Sequence, residues 1–567
     1  MKKKMLRVCS IALAVSFGLA SIVLSSPLSG HAAGTPSPNK DATPIQKVQG
    51  SKLLSNLQNK ISKVNHSEKL PVIITFKNLQ QTSNLQASKA KVPSLKAKHL
   101  YKNIPAIATE LTKSEINALT ALPEVVQIEY DEPIQSFSST ANHWYGTQKA
   151  RTDFGVTGDR DGSLNSYSKS DVTIAVIDTG IDASHVDLDG GKVIGWKDFV
   201  NNRSTPYDDQ GHGTHVAGIA AGAGDGNSSY VGVAPGAALV GVKVLDSRGS
   251  GSMSNVTAGI DWCISNKSTY GIDVINMSLG TSGSSDGSDA TSLATNRAAD
   301  AGIVVAVAAG NSGPSTKTIG SPGAAEKALT VGAMADPGEK GFNLASFSSR
   351  GTTADGRIKP DISAPGVNIM AAKANSGNGY VSYSGTSMAT PFTAGAVALM
   401  LDANPNLTPD QVKSTLASTA TDFGPAGKDV DYGSGNLKGY DAVKAAGGYT
   451  GEGPALPAHM KAQGTIGGSG LKDEYTFQLD ATSTPIAITM IMPNWSWFQD
   501  YDLYLFDPSG VQVASSTSSS RQETINFTPT VTGQYTIRVH SYLGFGSGNY
   551  FFDLSANGSG LTQTVNQ

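Results

Sequence analysis

Val172-Thr173-Ile174-Ala175-Val176-Ile177, followed at once by Asp178-Thr179-Gly180, is the stretch that decides the fold. Its first six residues are mostly β-branched and show no polar alternation. That suits a strand buried on both faces of a parallel sheet. Ala238 to Leu245, Val274 to Met277 and Ile303 to Ala309 have the same character. Helical patterns lie between them near 212–222, 253–267 and 288–301. Strand-helix alternation on this scale predicts a parallel α/β domain. Reactive groups in such sheets collect at the carboxyl ends of strands, and Asp178 stands at one.

The polar residues at these ends each have a structural and a chemical reading. Asp178 either closes a turn or orients a base. His212-Gly213-Thr214-His215-Val216-Ala217-Gly218 opens a helix, with glycines on either side of His212 that admit a close approach by substrate. His212 is a candidate general base. His212 and His215 share an i, i+3 spacing, but no glutamate lies between them and no third ligand is evident, which argues against zinc. His215 reads as a hydrogen-bonded core residue. Asn311, ending Ala308-Ala309-Gly310-Asn311, is either a left-handed turn residue or an amide aimed at an oxyanion. Gly385-Thr386-Ser387-Met388-Ala389 leads into a small-residue apolar helix, Thr390 to Asp402, with Pro391 expected in its first turn. Ser387 is either a helix cap or a nucleophile with free backbone donors beside it.

Taken together, in the order Asp, His, Asn, Ser, these motifs are specific. The chain closely resembles the subtilisin-like serine proteases. The matching words are Val176 to Asp182, His212 to Gly218, Gly232-Val233-Ala234-Pro235, Val274 to Gly280, Ala308 to Asn311 and Gly385 to Ala389, which span nearly all of 144–446. The resemblance implies Ser387 as nucleophile, His212 as base and then acid, and Asp178 as its orienter. Asn311 and the Ser387 backbone N–H would hold the oxyanion. It also implies that Gly249, Ser250 and Gly251, with Ser278, Leu279 and Gly280, pair with an extended substrate. Ala308, Gly310 and Gly320 would line the primary pocket. Nothing there is acidic, so a large apolar or aromatic residue before the scissile bond is expected. The implied cofactor is structural calcium, at Asp187, Asp225, Asn227 and Gln148, with no catalytic metal. Asp159-Arg160-Asp161-Gly162 has a calcium-loop pattern too, although Asp-Gly turns usually bind nothing.

Composition and charge set the context. Only 16% of the 567 residues are charged and 63 are glycine, which does not suit a nucleic-acid binder. Lys2, Lys3, Lys4 and Arg7 precede an apolar run from Ile11 to Leu24, and Gly30-His31-Ala32-Ala33 offers small residues for cleavage. This predicts a secretory signal over 1–33, hence a secreted, extracellular protein. No other segment is long and apolar enough to span a membrane. Cys9 leaves with the signal, so Cys263 remains alone and no internal disulfide is possible. Residues 34–137 hold thirteen lysines and eight acids, whereas the whole chain is −3. A basic front therefore precedes an acidic body, and the two could attract.

The expected organisation is a flexible leader over 34–68, a small α+β unit over 69–137, a catalytic domain over 138–447, a linker over 448–459, an all-β sandwich over 460–557 and a tail to 567. In the α+β unit Leu70 to Phe76, Ile104 to Leu111 and Val125 to Tyr130 read as strands, and Thr112-Lys113-Ser114-Glu115 opens a helix with a capping box. This unit resembles the family's inhibitor propeptide, an intramolecular chaperone of ferredoxin-like fold. Tyr501-Asp502-Leu503-Tyr504-Leu505 with Asp507-Pro508-Ser509-Gly510 resembles the bacterial pre-peptidase C-terminal domain. In that domain Trp495, Trp497 and Phe498 form an aromatic cluster suited to core packing or to insoluble substrate or glycan, and Asp500 and Asp502 are candidate ligands for a further calcium. The resemblance implies a monomeric, broad-specificity endopeptidase made as an autoprocessing zymogen, acting on protein and peptide substrates. A narrow processing protease and an inactive surface-binding protein are the alternatives.

Overall fold

The computed structural model describes residues 52–53, 55–61, 64–65, 67–101, 105–131, 140–163, 166–496, 498–544 and 546–567. The expected signal over 1–33, the start of the leader, most of the linker ahead of Ala141 and Trp497 lie outside them. The chain divides into two compact units, 1–135 and 136–567.

The first unit is a four-stranded antiparallel sheet with helices between its strands. Strands β1 (Lys69–Phe76), β2 (Ala97–Leu100), β3 (Ala106–Thr112) and β4 (Val125–Tyr130) lie in the order β2-β3-β1-β4. Helices Gln81–Lys91 and Lys113–Thr120 complete a βαββαβ unit. The capping box forms as expected: Glu115 N donates to Thr112 Oγ1, and Thr112 N donates back to the Glu115 carboxylate. The flexible leader needs correction. Residues Ser55–Ile61 are helical, and Leu57 and Ile61 are buried with Ile74, Ile107 and Ile128. Burying a leucine is worth about 1.5–3 kcal/mol, enough to order a short polar segment that has two apolar anchors.

In the second unit seven parallel strands form the central sheet: β5 (Thr173–Asp178), β6 (Val193–Asp198), β7 (Ala238–Lys243), β8 (Ile272–Met277), β9 (Val304–Ala308), β10 (Leu329–Met334) and β11 (Ile362–Pro365). Their order is β11-β10-β9-β8-β5-β7-β6. The all-apolar reading of β5 is explained by its two faces. Ile174 and Val176 pack into one core with helices His212–Ala221 and Thr386–Ala403. Ala175 and Ile177 pack into another with helices Met253–Ser265 and Ala290–Asp300, where Cys263 is also buried. The strand order reverses beside β5, so Asp178 ends at a topological switch point, where α/β sheets place ligands. A hairpin of β12 (Ile369–Ala372) and β13 (Tyr380–Tyr383) closes over the helix that starts at His212.

The chain ends in two stacked antiparallel sheets. Strands β14 (Ala458–Ile466), β21 (Gly548–Ala556), β16 (Ile486–Ile491) and β19 (Gln522–Phe527) form one, in that order. Strands β18 (Gln512–Ser516), β17 (Gln499–Phe506), β20 (Gly533–Gly544), β15 (Lys472–Leu479) and β22 (Gly558–Val565) form the other. The expected linker and tail are too long: β14 begins at Ala458, and most of the tail is β22. Both are edge strands with largely exposed, polar sequences, so pairing rather than apolar pattern makes them strands. Ile491 and Phe551 reach out of this sandwich into the core of the α/β domain.

Candidate active site

Asp178 is fully buried at the end of β5. Its Oδ1 accepts from His212 Nδ1 at 2.8 Å and from Thr179 N at 2.7 Å, while Oδ2 is buried without a partner. A buried carboxylate with one unpaired oxygen stabilises a positive charge on the ring beside it. Burial of the His212 ring opposes that charge. The Asp178 carboxylate, through its charge and its hydrogen bond, and the charge of Asp208 outweigh it, so the His212 pKa is raised. His215 is the reverse case. Burial drives its pKa down to about 3, and Nε2 donates to the Ile369 and Val381 carbonyls of the hairpin. It is a neutral, hydrogen-bonded core residue, as expected.

The glycine after His212 has a role different from the one expected. A Cβ on Gly213 would lie 2.2 Å from the Gly180 carbonyl oxygen, so this glycine lets the helix start pack against the Asp178-Thr179-Gly180 turn. It serves the protein's own backbone rather than substrate access. Asp208, which sequence reasoning missed, ties the two pieces together. Its Oδ1 accepts from Thr179 Oγ1 and Gly211 N, and its Oδ2 from Thr214 N and Oγ1. An acidic residue just ahead of a helix start was the available signal.

Ser387 lies in the first turn of the helix Thr386–Ala403, which begins four residues earlier than the apolar run suggests. Pro391 is therefore inside the helix, not in its first turn. It removes the N–H that would bond the Ser387 carbonyl. Ser278 Oγ donates to that carbonyl instead, at 2.8 Å, and is itself held by Asn276 Nδ2 at 3.1 Å. The Ser387 hydroxyl donates to the Ser278 carbonyl at 3.2 Å. Asn311 follows β9 and is not left-handed. Its Oδ1 accepts from Thr386 N at 2.9 Å and Thr386 Oγ1 at 3.0 Å, which fixes the amide flip and leaves Nδ2 as the donor facing the Gly385–Ser387 turn. Asp178 is thus joined to His212, and Asn311 to the turn that bears Ser387, while no hydrogen bond joins Ser387 to His212 among the described residues.

The sequence matches the subtilase family model over residues 169–435. Serine protease AprX of Bacillus subtilis is 38% identical over 414 residues, covering 67% of this chain and 89% of that protein. The chain belongs to the subtilase family. Subtilisin E of Bacillus subtilis is 40% identical over 334 residues, 58% of this subtilase and 79% of the relative. A subtilisin of Bacillus pumilus is 45% identical over 276 residues, 48% of this chain and 92% of the relative. Residues 49–115 match a Tk-SP N-propeptide domain and 472–541 a bacterial pre-peptidase C-terminal domain. The subtilase is thus a serine endopeptidase with a propeptide ahead of it and a sandwich behind it.

Two cavities share the segment Ser278-Leu279-Gly280, one lined by Ser387 and the other by His212. One, of about 240 Å³, is lined by Ala308, Gly310, Asn311, Thr318, Gly320 and Ser387. The other, of about 440 Å³, is lined by His212, Gly249, Ser250 and Gly251. Ser278, Leu279 and Gly280 lie between and line both. Neither glycine-containing segment is a strand, and the backbone of Gly249 and Ser250 is bonded to Asp246 within its own turn. Gly320 is required by packing, since a Cβ there would meet the Thr281 carbonyl oxygen at 2.0 Å.

The calcium residues fare unequally. Asp187 is buried, accepting from Gly226 N at 3.0 Å and Tyr380 OH at 3.0 Å. One bond on each oxygen leaves lone pairs on both, so this carboxylate and the exposed loop residues Asp225 and Asn227 suit a hard cation. Asn227 Oδ1 also caps the turn at Ser229 N. Gln148 is exposed on the helix Thr147–Phe154, and no contact joins it to Asp187 among the described residues. Asp159, Asp161 and Asp171 draw together, with Asp159 Oδ1 accepting from three backbone N–H groups of its own loop. In the sandwich Trp495 packs on the core and Phe498 is 65% exposed. Asp502 accepts from Tyr504 OH. Among the described residues no helix is long and apolar enough to cross a membrane.

Proposed function

We propose that this subtilase is a secreted endopeptidase of broad specificity that prefers a large apolar or aromatic residue before the scissile bond. The observation that carries this is the cavity beside Ser387: none of its lining residues is ionisable, and much of its wall is backbone of glycine and alanine. A basic side chain placed there would lose its hydration without gaining a counter-ion. The neighbouring segments 249–251 and 278–280 offer backbone rather than side chains, which tolerates many sequences. Digestion of a proteome-derived peptide library is expected to give cleavage mainly after Phe, Tyr, Leu and Met. Cleavage confined to Arg or Lys, or to one sequence, would contradict the reading and favour a narrow processing protease.

The N-terminal unit acts in this reading as chaperone and inhibitor of its own protease, and Ser387 removes it by cutting between Pro133 and Asn142. The basic charge of 34–137 against an acidic remainder supports the pairing. Calcium belongs to the same proposal, as a structural ion held by Asp187, Asp225 and Asn227. With no disulfide available to the one remaining cysteine, a bound ion is a means of stability outside the cell. Excess EDTA is expected to shorten the half-life at an inactivating temperature severalfold, and Asp187→Asn to remove that sensitivity. Equal half-lives in EDTA and in millimolar calcium would refute it.

A further inference from the structure

The C-terminal sandwich is joined to the α/β domain by a buried ionic network. Arg521, next to the start of β19, makes a two-pronged pair with Asp431, Nη1 to Oδ1 at 2.5 Å and Nη2 to Oδ2 at 3.0 Å. Its Nη1 also donates to the Pro314 carbonyl at 3.3 Å. Arg350, fully buried, donates to Gln522 Oε1 at 2.7 Å and to the Ala345 and Asp431 carbonyls. Gln522 Nε2 donates to the Leu344 carbonyl at 2.8 Å. Two guanidinium groups share one aspartate, so the network holds only while both domains supply their parts.

This network continues to the primary cavity through backbone. Arg350 N donates to Thr318 Oγ1 at 2.8 Å, and Thr318 N donates to Arg350 O at 2.9 Å. Thr318 lines the cavity beside Ser387. One residue earlier, Ser349 N bonds the Gly310 carbonyl and Ser349 Oγ accepts from Ser312 N, on either side of Asn311. The strip 349–350 is therefore sandwiched between the pocket wall and the C-terminal domain.

We infer that Arg521 and Gln522 are positioning residues for the primary pocket: by fixing Arg350, the sandwich holds the Thr318 wall and so sets discrimination between large and small residues before the scissile bond. The sandwich is then part of the working protease and stays attached after maturation. This rests on the reading of the 240 Å³ cavity as the primary pocket. A wall released by a fraction of an ångström loses substrate fit, and a misplacement of 1 Å costs about 10²-fold.

The test uses the full chain and two tetrapeptide anilides that differ only in Phe or Ala before the scissile bond, with active sites titrated by a fluorophosphonate. For Arg521→Ala the Phe-to-Ala ratio of kcat/KM is expected to fall about tenfold, a fraction of that 1 Å loss. Gln522→Ala is expected to lower the ratio too, whereas Gln522→Glu, which keeps an acceptor for Arg350, holds it within about twofold. If Arg521→Ala does not accumulate, the Gln522 pair decides alone. General loss of fold would lower the titratable fraction and leave the ratio of the survivors unmoved. A wild type that discriminates beside variants with its unchanged ratio would overturn this inference alone. A wild type that does not discriminate would overturn the pocket reading and this with it.

Discussion

Ser387→Ala is expected to lower kcat by roughly 10⁶, the loss measured for the nucleophile of subtilisin, a member of the same family. The proposed mechanism needs a hydroxyl on Ser387, an imidazole whose charged form Asp178 stabilises, and an oxyanion donor. Without the hydroxyl no acyl-enzyme forms, and His212 has nothing to deprotonate except water. A residual rate of about 10³–10⁴ over water is expected from binding and the oxyanion site alone. KM should change little, since Ser387 Oγ contributes one weak bond to the Ser278 carbonyl in the resting site. The fold should also survive, because the Ser387 carbonyl keeps its bond from Ser278 Oγ. Turnover of a chromogenic peptide by purified variant, freed of its N-terminal unit by a protease of another class that is then removed, with a normal melting curve, is the check. Activity within tenfold of wild type would mean that another group is the nucleophile.

Asn311→Ala is expected to lower kcat by about 10²–10³ with KM nearly unchanged, again on the scale known from subtilisin, or about 2.7–4 kcal/mol of transition-state stabilisation. The structure separates the two ends of this side chain. Oδ1 is engaged by Thr386 N and Oγ1, so it locates the residue. Nδ2 is the end left for chemistry. Asn311→Asp keeps the acceptor and loses the donor, so it is expected to fail at least as badly as alanine while leaving thermal stability near wild type. Steady-state kinetics on both variants check this. A loss of less than tenfold in Asn311→Asp would show that the amide does not face the developing oxyanion.

The candidate catalytic residues each follow a strong, short pattern. Asp178 ends and Asn311 shortly follows a strand buried on both faces, and such strands are largely apolar. His212 and Ser387 open helices with distinctive small-residue surroundings. What the sequence hid was set by partners distant in the chain. The helix bearing Ser387 starts at Thr386 because Asn311 accepts from Thr386 N and Oγ1, a bond invisible locally, and Pro391 was misplaced as a result. The helix Ser55–Ile61 has only two apolar anchors, too few to show a period. Strands β14 and β22 are polar edges that exist by pairing with β21 and β15. Arg350 and Arg521 belong to no local pattern, because their partners Gln522 and Asp431 are distant in the chain. Asp208 and the Asn276–Ser278 pair support the catalytic groups through hydrogen bonds that leave little trace in a linear pattern.

The central claim is that Ser387 is the nucleophile of a protease whose first substrate is its own chain. The most direct test is intact mass and N-terminal sequence of the secreted protein, wild type beside Ser387→Ala, from a host lacking other extracellular proteases. Wild type is expected to begin between Pro133 and Asn142, and the variant to retain the whole propeptide unit, including the helix Ser55–Ile61. A Ser387→Ala chain trimmed to the same start as wild type would contradict the account.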